Sequence, residues 1–124
     1  MLRNKNLVNQ AFQFEEAGYF SKASQICQEI LVDNPDDGDA LHLLGILCNN
    51  LGRYHQAVIF FERSLLVLGQ TPALLHNYAV ALQGLDFLDK ASKILRLTIA
   101  LDPKKIESRL RLGEIEFTKE NWLN

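Results

Sequence analysis

Ala11, Gly45, Ala79 and Gly113 follow one another at intervals of 34 residues, and all four are small. Ala23, Ala57 and Ala91 keep the same step. So do Leu7, Leu41 and Leu75, then Leu31, Leu65 and Ile99, then Phe20, Tyr54, Leu88 and Trp122. LHLLG at 41–45 returns as LHNYA at 75–79. A fixed period on this scale marks an array of one supersecondary unit, each copy burying its apolar face against its neighbours. The chain reads as a single domain, 1–124, with repeats at 4–37, 38–71 and 72–105 and a partial or capping repeat at 106–124.

Each repeat contains two helices. Between 39 and 51 the apolar positions cover too wide an arc for one stripe, which suits a helix buried on two sides. Residues 55–68 form a second helical pattern through Ala57, Val58, Phe60, Phe61, Leu65 and Leu68. LGRY joins the two, and Gly52 suits the left-handed residue that ends a helix. Breakers close the repeats: DNP at 33–35, GQTP at 69–72 and DPKK at 102–105. Thr71 before Pro72 has the form of an N-cap followed by proline at the first helical position. No strand-like alternation competes. The small residues mark where paired helices touch, Gly45 near Ala57 and Ala79 near Ala91.

Composition narrows the function. The 124 residues are 48% hydrophobic and 23% charged, with a net charge of −2. That balance and the lack of a basic block give no footprint for nucleic acid. There is no run of 18 apolar residues for a membrane span and no signal-peptide pattern, so the expected location is cytoplasmic. Cys27 and Cys48 lack metal or redox spacing and read as buried, reduced side chains.

Residues 41–69 run Leu41-x2-Leu44-Gly45-x2-Cys48, then Ala57-x3-Phe61, then Gly69. Residues 75–103 run Leu75-x2-Tyr78-Ala79-x2-Leu82, then Ala91-x3-Leu95, then Pro103, and residues 7–35 follow the same plan. The chain thus resembles a tetratricopeptide-repeat protein over nearly its whole length. The leading Trp of the family pattern is Leu in each full repeat. The fourth departs further, with Arg109 and Glu116 at apolar positions, and is expected to act as a lone capping helix. The stretch around DNPDDGDALHLLG is similar in style to arrays that precede bacterial glycosyltransferase or methyltransferase domains.

The resemblance implies an all-α, right-handed superhelical solenoid of antiparallel helix pairs, about seven helices in all, whose first helices line a concave groove for a peptide or partner protein. Carried over position by position, that groove holds Lys5, Val8, Asn9 and Phe12, then His42, Leu43, Ile46 and Asn49, then His76, Asn77 and Val80, and finally Arg111. Asn9 and Asn77 share one repeat position and suit a peptide backbone, since an amide offers donor and acceptor together. Leu43 and Arg111 interrupt that ladder. Val8 and Phe12 stand where a lysine-and-asparagine carboxylate clamp would need polar groups, so the expected ligand is held through apolar contacts and backbone hydrogen bonds. His42 and His76 share a position too, but two imidazoles without carboxylate or thiolate company make a poor metal site.

No catalytic motif, cofactor site or metal set is present in the sequence. The function expected is a non-catalytic scaffold for protein or peptide partners, without nucleic-acid or membrane binding. Two other readings stand beside it. One is the substrate-recruiting N-terminal part of a larger enzyme, such as a glycosyltransferase or methyltransferase. The other is self-association through exposed apolar residues such as Ile59 and Leu97, or through the end near Trp122.

Overall fold

A computed structural model describes the backbone of residues 2–123 and the side chains of residues 4–121. Among the described residues the chain forms seven helices and no strand: α1 (Leu2–Glu16), α2 (Phe20–Asp33), α3 (Gly38–Asn50), α4 (Tyr54–Leu68), α5 (Pro72–Gly84), α6 (Leu88–Leu101) and α7 (Ile106–Leu123). None of them is long and apolar enough to cross a membrane. The side chain of Trp122 lies outside the described residues. The helices gather into two compact units, Met1–Gly69 and Gln70–Asn124, divided inside the GQTP breaker.

The turns repeat as faithfully as the helices. After α3 the Gly52 amide donates to the Asn49 carbonyl at 3.0 Å and the Arg53 amide to Cys48 at 2.8 Å. This paired arrangement satisfies the orphan carbonyls at a helix end and requires a left-handed residue between. Gly52 supplies it with φ 73°, Gly18 with φ 87° after α1, and Asp86 with φ 63° after α5. Side chains cap two of the helix starts, the second as the sequence implies. Asp37 accepts from the Ala40 amide at 3.0 Å, and Thr71 accepts from Leu74 at 3.3 Å with Pro72 at the first turn.

In the first unit, α1 and α2 pair, α3 and α4 pair, and α2 lies against α3. Val8, Ala11, Ala23, Cys27, Ile30, Leu43 and Leu47 share one buried cluster. α3 and α4 come close at Gly45, where a Cβ would collide with the Phe61 ring. The buried Ser64 hydroxyl donates to the Gly38 carbonyl at 2.8 Å, tying the end of α4 to the start of α3.

In the second unit, α5 pairs with α6, and α6 with α7. Glu116, which stands where the repeat pattern wants an aromatic, accepts from Arg96 at 3.0 Å and from Ser92 at 3.3 Å. A polar clasp therefore replaces an apolar contact. Lys119 and Asp89 add an exposed ion pair at 2.8 Å.

Candidate functional site

The first helices present two faces, one on each compact unit. On the first unit, Lys5 and Asn9 of α1 are exposed, and Phe12 is half-buried. The Phe12 ring stands edge-on to His42 of α3 at 6.3 Å between centroids. Ile46 and Asn49, one and two turns along α3, are half-buried. Partial burial and the neighbouring Asp37 hold the Asp39 carboxyl above its ordinary value, while Lys5 pulls it down.

Three of the expected groove residues are interior instead. Val8 and Leu43 belong to the buried cluster of the first unit. His42 is 9% exposed and sits between Phe12 and Phe61, whose ring lies 6.0 Å away. The cause is the wide apolar arc of α3. A helix enclosed on two sides buries positions that would line a face on a less crowded helix. Burial lowers the His42 pKa to about 4, so its imidazole is neutral at physiological pH.

On the second unit, His76, Asn77 and Val80 of α5 and Arg111 of α7 are half-buried. His76 Nδ1 is 2.8 Å from the Ser108 hydroxyl, and Arg111 donates to Gln83 Oε1 at 2.9 Å. Both bonds join α5 to α7 and fix their side chains. Burial lowers the His76 pKa, aided by the Lys105 and Arg111 charges and opposed by Glu107. His42 and His76 fall in separate units, as do Asn9 and Asn77. Among the described residues no three His, Cys, Asp or Glu side chains gather as metal ligands.

Both cysteines are free and buried. Burial, with the Asp37 carboxylate, pushes the Cys27 thiol up to about 12, so it stays a thiol. Cys48 is also raised by burial, against the pull of Arg53. Position-by-position reading of the first helices missed a cleft of about 500 Å³ on the other side of α3, lined by Phe20, Ser24, Gln28, Leu44, Cys48 and Arg53. Its apolar floor repeats at helical spacing in α3, but nothing local in the sequence shows that α2 stands off beside it.

Paired helices at a 34-residue period, small residues at each crossing and a repeated turn define a helical-repeat protein. Its fold is that of the tetratricopeptide repeat. In the second such domain of human RPAP3, solved with an HSP70 peptide, the match has a TM-score of 0.81 at 13% identity and covers 93% of this chain and 96% of that one. The O-GlcNAc transferase of Thermobaculum terrenum matches with a TM-score of 0.86 at 22% identity, over 90% of this chain and 22% of that one. In sequence, the chain is 37% identical over 83 residues to the cytochrome c-type biogenesis protein CycH of Rhizobium meliloti (strain 1021). That match takes in 64% of this chain but only 22% of the relative's length. No family model matches the chain.

Proposed function

We propose that the chain is a non-catalytic interaction module that binds a protein or peptide on its first-helix faces. The observation behind this reading is the mixture of half-exposed apolar and amide side chains on rigid helices: Phe12, Ile46 and Asn49 on one unit, His76, Asn77 and Val80 on the other. Such a surface offers apolar contact together with amides that match a peptide backbone, and its rigidity lowers the ordering cost of binding. The peptide-bound RPAP3 domain supports the same use of the fold. Among the expected groove residues only Lys5 and Arg111 are cations, and Arg111 is held by Gln83. Binding should therefore change little with salt, whereas a charge-driven complex would weaken steeply. The test pairs wild type with an Ile46→Ala/Asn77→Ala variant in a pulldown at low and high salt, with helicity followed by circular dichroism. Loss of a partner in the folded variant supports the reading, and unchanged recovery contradicts it.

A second reading, a substrate-recruiting part of a larger enzyme such as a glycosyltransferase or methyltransferase, draws on the likeness to a limited stretch of the O-GlcNAc transferase. It requires that the same variant slow turnover of a protein substrate while sparing a small acceptor.

A further inference from the structure

The cleft beside α2 and α3 continues into a second hollow of about 460 Å³, which shares Ser24, Gln28, Leu44, Cys48 and Arg53 with it. One wall throughout is the side of α2 that carries Ser21, Ser24, Gln28 and Val32. From Phe20 to Val32 that wall runs about 18 Å, at ~1.5 Å per residue. The start of α4 forms the far wall, with Gln56 and Phe60. All of these residues belong to the first compact unit.

The groove is ordered along its length. One end is apolar, with Phe20, Leu47 and Leu51. The other is apolar too, with Leu31, Val32 and Phe60. On the stretch that the two hollows share stand the Ser24 hydroxyl, the Gln28 amide and the Arg53 guanidinium, with Leu44 and Cys48. Among the described lining residues Arg53 alone is charged. Its charge reaches the floor, where it opposes the rise that burial causes in the Cys48 thiol pKa. Arg53 caps no helix amide with its side chain, and among the described residues it makes no ion pair. The sister repeats carry aromatic residues at this position, Tyr19 and Phe87. The cation therefore serves neither the helix start nor the repeat pattern, and it lies between two apolar ends.

We propose that this groove binds an extended peptide whose acidic side chain pairs with Arg53 and whose apolar side chains, two residues to either side, fill the two ends. In an extended chain residues i, i+2 and i+4 line one face. They span about 13 Å, which fits within the groove. Gln28 and Gln56 offer amides to the peptide backbone, which an extended chain needs and a helix does not. A fatty acid would carry its carboxylate at one end, whereas this cation stands between apolar surfaces. The site shares no residue with the first-helix face and does not depend on binding there.

The probe is the blocked peptide Gly-Leu-Ser-Glu-Ser-Leu-Gly, titrated into the isotope-labelled intact chain and followed by amide chemical shifts. Saturable changes are expected at Ser24, Gln28, Cys48 and Arg53. Glutamine in place of the peptide glutamate, or Arg53→Gln in the chain, should each weaken binding by about fivefold, the worth of one partly exposed ion pair. The two changes together should weaken it no further than either alone. Arg53→Glu with a lysine peptide should recover the loss. The Arg53 side chain is exposed and makes no cap bond, so these variants should keep their melting temperature. Absence of saturable shifts, or equal binding of the glutamate and glutamine peptides, would overturn the proposal. So would shifts centred on Asn9 and Ile46, which would put the peptide on the first-helix face and leave that reading intact. Decanoate binding in the groove without the peptide, or a concentration-dependent dimer that Arg53→Glu abolishes, would overturn it in favour of a lipid or a second copy.

Discussion

Gly45 and Phe61 form a matched pair. At the same repeat positions the sister repeats carry Ala11 with Cys27 and Ala79 with Leu95, so the residue at the first position is smallest where the one at the second is largest. Gly45→Ala should destabilise the chain by roughly 1–3 kcal/mol through overpacking. Phe61→Leu in the same chain should return much of that loss, which a double-mutant denaturation cycle would measure as coupling. If the two losses simply add, the crossing is not a matched pair. His42 makes a second prediction at this scale. Its folded pKa of about 4 lies below its ordinary 6.5. The unfolded chain therefore binds a proton more readily. Stability from this group is complete above pH 6.5 and is lost as pH falls toward about 4, by roughly 3 kcal/mol. His76 acts in the same direction. A His42→Phe variant should show a flatter decline over that window in urea titrations.

At the scale of the helix, the pattern of small residues and breakers read out most of the fold. Thr71 and Pro72 start α5 as their sequence says, and Thr71→Ala should cost about 1 kcal/mol in a thermal melt. The turn glycine at position 52 was equally legible, but its counterpart Asp86 was not. Asp tolerates the left-handed conformation well enough to hide it. Asp86→Gly should raise stability by up to about 1 kcal/mol, and a loss would mean the aspartate makes a contact worth more than the relief. Glu116 shows the opposite limit. As a departure from the apolar pattern it reads as a weak point, and only the structure supplies Arg96 and Ser92 as its partners.

At the scale of the whole chain, the sequence reading located the two helices of each repeat but counted interior residues among the expected groove positions. Asn9, Phe12, Ile46, Asn77 and Val80 keep exposed surface, as their repeat positions imply. Val8, His42 and Leu43 do not, because a position in one repeat cannot report how closely the next helix packs. The cleft beside α2 and α3 escaped notice for the same reason, since it depends on how helices stand apart rather than on which residues they carry. The most direct test of the interaction-module account is peptide selection from a random displayed library against the intact chain. The tightest binder would then be mapped by amide chemical-shift perturbation. The account expects the shifts to centre on Asn9 and Ile46 of the first unit or on Asn77 and Val80 of the second. Shifts centred on Ile59 and Leu66, or no selected peptide at all, would contradict it.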